Sequence, residues 1–310
     1  MWIAAAFSLM ASVCVLQAAI YDGWTYRLKI RFGAPIQGAL TNIPVLVIFN
    51  TNSISGFRYT DFSYPATGAD LRFANSNETA ALNFEFQKWN TNGSSYIWVN
   101  VPCIASTNDF MYAYWQKSGA IAPACTTNGA TWTNGFAGVW HLDESNGNAL
   151  DCTTNKYNGT VTGATRGASG KILEAYSFDG SSDYVGMSLN PGPTVTIAAW
   201  ASSSAGTPDD MLWCVRGGNP GPDLFYYSGS IYLNTWDGGG NPFCAQPSPM
   251  SQMRQYVTVI SSGRTELYID GRRAGTAGYR DTTASPFYIS SAAGYDWQGI
   301  IDEFSLSRVA

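Results

Sequence analysis

Histidine is almost missing from this chain: 310 residues hold one imidazole, His141. A nucleophile triad therefore has a single available base. That base lies in the apolar run from Phe136 to Leu142, a setting that points to packing rather than catalysis. Charge is scarce too, at 13% of residues with a net charge of −5. No cluster of Lys or Arg offsets the acidic balance, which argues against nucleic acid and against anionic membrane surfaces. The adjacent carboxylate pairs Asp143-Glu144, Asp209-Asp210 and Asp302-Glu303 would point to opposite faces of a strand, so they make poor acid–base couples. Helical spacing is nearly absent, and no long apolar run follows the N-terminus. Cysteine spacings match no zinc site, and one His offers little support for one.

What is present is apolar and uncharged. Hydrophobic residues make up 45%, so Ser, Thr, Asn, Gly and Tyr must cover the surface, as in exported β proteins and glycan binders. Met1 to about Ala19 reads as a secretory signal peptide, with cleavage after Ala18 or Ala19. No positive residue precedes Arg27, which leaves an uncleaved anchor as the alternative; Val13 before Cys14 matches a lipid-attachment signal poorly. Cleavage removes Cys14 and leaves Cys103, Cys125, Cys152, Cys214 and Cys244, an odd set with one thiol over. Cys214 with Cys244, inside one sandwich, is the first expected bridge; Cys103 with Cys125, at the end of the first domain, is the second.

Short alternating strands organise the rest. Trp24 to Ile30 alternates with the period of a half-buried strand. Pro44 to Phe49 is continuously apolar and is expected as a central strand covered on both sides. Further strands are expected at 70–73, 83–89, 96–101 and 110–115. Gly119 to Asn134, rich in Ala, Thr, Asn and Gly, is expected as a linker. Strands resume at Phe136 and run to Leu306. The clearest signal among them is Arg264 to Gly275, where apolar alternation runs into Asp270-Gly271, the pair a type I′ hairpin requires. The expectation is an all-β protein of two antiparallel sandwiches, at 20–118 and 135–310.

Phe136 to Ala310 resembles a laminin-G-like, concanavalin A-like jelly roll of secreted bacterial proteins. The resemblance rests on Val139-Trp140-His141-Leu142-Asp143-Glu144, Asp151-Cys152-Thr153-Thr154-Asn155, Ser177 to Val185, Leu267-Tyr268-Ile269-Asp270-Gly271 and Gly299-Ile300-Ile301-Asp302-Glu303-Phe304, in that order. Tyr21 to Trp115 is similar to a bacterial domain of unknown function that commonly precedes such jelly rolls, through Trp24 to Ile30, Asn42 to Val47, Asp70-Leu71-Arg72-Phe73 and Ile97 to Pro102. The jelly-roll resemblance implies ligand binding, often of glycans, often with one calcium at the rim. It also covers purely structural members. Glucanases sharing the fold carry two Glu and an Asp alternating on one strand, and no Glu-x-Asp-x-x-Glu run occurs here.

Candidate calcium ligands are Asp302, Asp179, Asp183 and Asp151, since calcium takes six to eight oxygens from loop carboxylates and carbonyls; as turn residues they have an equally good role in capping. A glycan needs exposed rings beside hydrogen-bonding groups. Trp236, Asp237, Asn241, Tyr226 and Tyr295 are the candidate contacts, with Trp236 leading because it ends a strand at a Gly-rich loop. Trp200, Trp213 and Trp297 are expected in the core. Asn77, Asn92 and Asn158 begin acceptor sequons, read here as turns. The expected function is non-catalytic carbohydrate or extracellular-matrix binding by a secreted or cell-surface protein. The alternative is a structural or adhesive protein that binds other proteins; a polysaccharide-active enzyme comes third.

Overall fold

The computed structural model describes residues 19–33, 38–203, 210–215, 223–227, 229–234, 243–247, 251–278, 282–291 and 294–310. The first sandwich uses β1 (Tyr26–Arg31), β2 (Leu40–Phe49), β3 (Arg72–Ala74), β4 (Phe84–Lys88), β5 (Ser95–Ile104) and β6 (Phe110–Trp115). They form two three-stranded sheets, ordered β1-β6-β3 and β2-β5-β4. Alternation along β5 sends Ile97, Val99 and Val101 into the core and leaves Trp98 and Asn100 on the other face. On β4 the same rule buries Phe84 and turns Glu85 and Gln87 outward.

One expectation fails in this half. β2 is an edge strand, with Ile48 45% exposed; β5 takes the centre, and Pro44, which cannot donate to a ladder, fits the edge. Residues 119–134, expected as the linker between the sandwiches, are folded against the first of them. A short helix, α1 (Cys125–Asn128), packs against β4, Trp132 is buried, and Asn100 Nδ2 donates to the Thr131 carbonyl at 2.9 Å. One buried tryptophan anchors a segment that has no period to show.

The second sandwich continues with β7 (Phe136–Trp140), β8 (Thr160–Thr162), β9 (Thr165–Ser169), β10 (Glu174–Asp179), β11 (Tyr184–Met187), β12 (Val195–Ser203), β13 (Asp210–Val215), β14 (Asp223–Tyr227) and β15 (Ser230–Asn234). It closes with β16 (Phe243–Pro247), β17 (Arg254–Ser261), β18 (Arg264–Ile269), β19 (Arg272–Gly278), β20 (Phe287–Ser290) and β21 (Gln298–Ser307). One sheet runs β19-β18-β17-β12-β21-β10-β9, with β7 also on β21; the facing sheet runs β16-β15-β14-β13-β20-β11-β8. Their shared core buries Trp140, Trp213, Trp297, Tyr176 and Phe304 completely or nearly so. Each large apolar side chain so buried stabilises the fold by about 1.5–3 kcal/mol. The β18–β19 turn has positive φ at Asp270 (49°) and Gly271 (74°), the signature of the expected type I′ hairpin. Trp200 departs from expectation: it is half-buried on the outer face, with Lys171 Nζ 4.3 Å from its ring centre.

Neither expected disulfide is present. Cys103 is exposed on β5, Cys125 starts α1, and both are free thiols. Cys214 is on β13 and Cys244 on β16, with β14 and β15 between. Three strand spacings of about 4.8 Å put them about 14 Å apart, twice what a bridge spans. Sharing a sandwich does not make two cysteines neighbours. Among the described residues no helix is long and apolar enough to cross a membrane; the expected signal peptide falls almost wholly on residues 1–18, outside them.

Candidate functional site

Alternation sets what the seven-stranded sheet presents outward. Inward-facing Val185 and Met187, Phe287 and Ile289, Leu224 and Tyr226, Ile231 and Leu233 leave Tyr184, Tyr288, Phe225 and Tyr232 on the opposite face. All four rings are half-buried. Tyr184 and Tyr288 meet edge to face at 5.6 Å, while Phe225 and Tyr232 stack at 5.0 Å and 14°. β11 and β14 are three strands apart, so the pairs stand about 14 Å from each other. Between them Cys214 and Asp223, register partners of the same row, are buried. The Cys214 thiol donates to the Ser290 carbonyl at 3.5 Å.

The expected glycan contacts fare unevenly against this face. Tyr226 is a correction: it is only 7% exposed and packs in the core, because its neighbour Phe225 takes the outward position. Tyr295 is half-buried, and its carbonyl accepts from Met211 N–H at 2.8 Å; Met211 is the register partner of Phe225. Trp236, Asp237 and Asn241 lie outside the described residues. Tyr184, Phe225 and Tyr288 escaped notice because aromatic residues occupy both faces of these strands, and period alone does not say which face is inside.

The four candidate calcium ligands do not converge. Asp151 is a turn cap: Oδ1 accepts from the Val139 and Thr153 amides and Oδ2 from the Thr153 hydroxyl and the Tyr157 amide, at 2.8–3.1 Å. Asp302 is fully buried, and its Oδ2 accepts the Lys171 and Ile172 amides at 2.6 and 2.9 Å. Burial pushes its carboxyl up to about 7, against those two amides. Asp302 stands four residues along β21 from Gln298, the partner of Asp179, about 13 Å away. Asp179 and Asp183 do meet, at the opposite end of β10, and Asp296 joins them. Asp183 Oδ2 accepts from the Asp179 amide at 2.9 Å and Asp296 Oδ2 from the Ser182 amide at 2.9 Å. Burial, then the Asp179 charge, raises both the Asp183 and Asp296 pKa. Asp296 Oδ1 is buried with no hydrogen-bond partner.

A third group lies where the sandwiches meet. His141 directly follows β7, and Trp140 pairs with Phe304, which brings Glu303 alongside. Glu303 has φ 49°, at an irregular stretch of β21 that frees its side chain from the sheet. His141 Nδ1 is 2.8 Å from Glu303 Oε2, and Nε2 is 3.0 Å from Glu85 Oε1 of the first sandwich. The ring lies near-parallel to Trp98 at 6.0 Å, with Trp132 at 5.8 Å. Gln87 Nε2 donates to Glu303 Oε1 at 2.7 Å and to Asp143 Oδ2 at 3.2 Å, while its Oε1 accepts from Trp98 Nε1 at 2.9 Å. Burial alone would lower the His141 pKa, but the Glu303 carboxylate and Cys152 outweigh it and hold it well above its ordinary value. Burial pushes the Cys152 thiol up, with His141 opposing. A packed imidazole was expected; its partners from both sandwiches were not, since no local spacing joins Glu85 to His141 and Glu303.

Comparison with known sequences decides the families. Residues 67–159 match the sequence model of a domain of unknown function, DUF2341, and residues 179–310 match that of the concanavalin A-like lectin/glucanases superfamily. The chain carries a DUF2341 domain followed by a concanavalin A-like domain. The first match runs past the end of its own sandwich through His141 and Cys152, so it takes in β7, the first strand of the second sandwich. No curated protein matches the chain. Similar solved structures include domain 4 of AbnA, an extracellular arabinanase from Geobacillus stearothermophilus, in complex with arabinotriose (16% identity, 57% of this chain, 93% of that chain, TM-score 0.44). A Trypanosoma rangeli sialidase in complex with sialic acid is another (14%, 73% of this chain, 40% of that chain, TM-score 0.47). A third is the binding domain of botulinum neurotoxin DC in complex with SialylT (11%, 56% and 48%, TM-score 0.44). What each of these binds is a property of that protein.

Proposed function

We propose that the concanavalin A-like domain binds carbohydrate, without catalysis and outside the cell, through the outer face of its seven-stranded sheet. The observation that carries this reading is the pair of half-buried aromatic couples, Tyr184–Tyr288 and Phe225–Tyr232, on one face. Sugar C–H faces stack on such rings, and hydroxyls of the ligand need polar groups between them. A glycan array probed with the whole chain tests it. Specific hits that weaken about tenfold in Phe225→Ala, the loss of about 1.4 kcal/mol, support the reading; hits unaffected by Phe225→Ala and Tyr232→Ala together sink it. An array without hits, coupled with concentration-dependent self-association, favours the adhesive alternative. Reducing-sugar release from a bound glycan would contradict the non-catalytic part.

The same reading includes calcium at the rim, on Asp179, Asp183 and Asp296 rather than Asp302. Three carboxylates near one turn offer the oxygens a hard cation takes, though they do not yet converge within 4.8 Å and must close on the ion; the unpartnered Asp296 Oδ1 is one oxygen available to it. Melting the chain in calcium and in chelator checks this. A higher Tm in calcium that disappears in Asp296→Asn is expected, and identical melts refute it.

A further inference from the structure

Glu85, His141 and Cys152 each bring one ligand-type atom to within 4.8 Å of the others, the one such group of His, Cys, Asp or Glu among the described residues. We propose that these three residues form a zinc site that staples the DUF2341 sandwich to the concanavalin A-like one. The ion bonds His141 Nε2, Cys152 Sγ and a Glu85 oxygen. The donor set is one imidazole, one thiolate and one carboxylate, which suits a borderline-soft divalent ion. Zinc bonds of about 2.0–2.3 Å put tetrahedral ligands about 3.3–3.7 Å apart, so the 3.0 Å between His141 Nε2 and Glu85 Oε1 needs to open by well under 1 Å.

A second observation points the same way. His141 Nδ1 is already engaged by Glu303 at 2.8 Å, and Gln87 holds Glu303 from its other oxygen at 2.7 Å. A carboxylate on the far nitrogen is the arrangement that fixes the tautomer and aims the lone pair of a metal-binding histidine. Trp98 and Trp132 fix the ring plane. On binding, Nε2 and Sγ each give up a proton to solvent, and the dication replaces them between Glu85 and a thiolate. The fourth position falls to water. The ligands come from residues 85, 141 and 152 across two sandwiches, so no C-x-x-C-type spacing announces them.

The test uses the whole chain, stripped with chelator and titrated with zinc chloride and, separately, cobalt chloride. One equivalent of zinc should bind. Cobalt should give a thiolate charge-transfer band together with the intense visible absorption of a tetrahedral ion. Cys152→Ser should abolish the charge-transfer band and weaken zinc binding about a hundredfold, while Cys103→Ser and Cys125→Ser leave both unchanged. Glu303→Gln should weaken binding about 10–100-fold with the band retained, which a merely structural glutamate would not do. Absence of stoichiometric zinc, or a cobalt–thiolate band that survives Cys152→Ser, overturns the proposal. Both Cys152→Ser and Glu303→Gln are conservative, and circular dichroism confirms that each is folded before it is scored.

Discussion

Two sheet faces in this molecule point away from their own cores, and they have opposite fates. The outer face of β4 and β5 carries Glu85, Gln87, Trp98 and Asn100, a mixture that looks destined for water. It is covered by the second sandwich and by residues 131–133 of the connecting segment, with Glu85 6% and Asn100 8% exposed. The outer face of the seven-stranded sheet stays half open at its four aromatic rings, while Cys214 and Asp223 between them are fully buried. The difference lies in specific partners. A buried carboxylate is tolerable when a cation meets it at hydrogen-bond distance, and His141 supplies that for Glu85 and Glu303 together. Aromatic rings need no such charged partner, so they can stay half-buried at a surface without that cost.

That contrast breaks first at His141. His141→Ala strands two carboxylates whose side chains are less than 10% exposed, and an unpaired buried charge costs about 3–5 kcal/mol. Urea unfolding should show that loss, whereas Phe225→Ala on the open face should cost about 1 kcal/mol. Equal losses would mean the junction is no more structural than the face.

The next effect comes from Asp302. Its carboxyl is raised to about 7 when folded and is near 4 when unfolded. Between those values the folded chain binds the extra proton, so the Asp302 contribution to stability is full below about pH 4, declines as pH rises, and is gone above about pH 7. Asp302→Asn keeps an acceptor for the Lys171 and Ile172 amides and removes the titration. The variant should lose that part of the pH slope and exceed the wild type above pH 7 by up to about 4 kcal/mol. A slope that persists in Asp302→Asn assigns it elsewhere. Smallest of all is the exposed pair Arg27–Glu78 at 2.7 Å, with Arg27 51% exposed. Arg27→Ala should shift stability by about 0.5 kcal/mol or less, and a larger shift in the urea midpoint would show that this edge is held by more than it displays.

The strands were legible where one face is apolar and the other polar: β1, β5, β18 and the Asp270-Gly271 turn follow directly from period two. Legibility ended at three places. Pro44 to Phe49 read as central because apolar run length reports hydrophobicity and not position in a sheet. Tyr226 and Phe225 exchanged roles because adjacent aromatics give no polar partner to fix the phase. The junction was invisible for a different reason. Glu85 and Gln87 are ordinary outward-facing polar residues of β4 and His141 directly follows β7, and only the docking of one sandwich on another turns them into a buried network.

Titrating the tightest array glycan into the wild-type chain, Phe225→Ala and His141→Gln by calorimetry sets the open face against the covered one in a single experiment. Phe225→Ala should bind about tenfold more weakly while unfolding within about 1 kcal/mol of the wild type. His141→Gln, though less stable, should bind the glycan with unchanged affinity below its melting range. Unchanged affinity in Phe225→Ala would contradict recognition by the aromatic face.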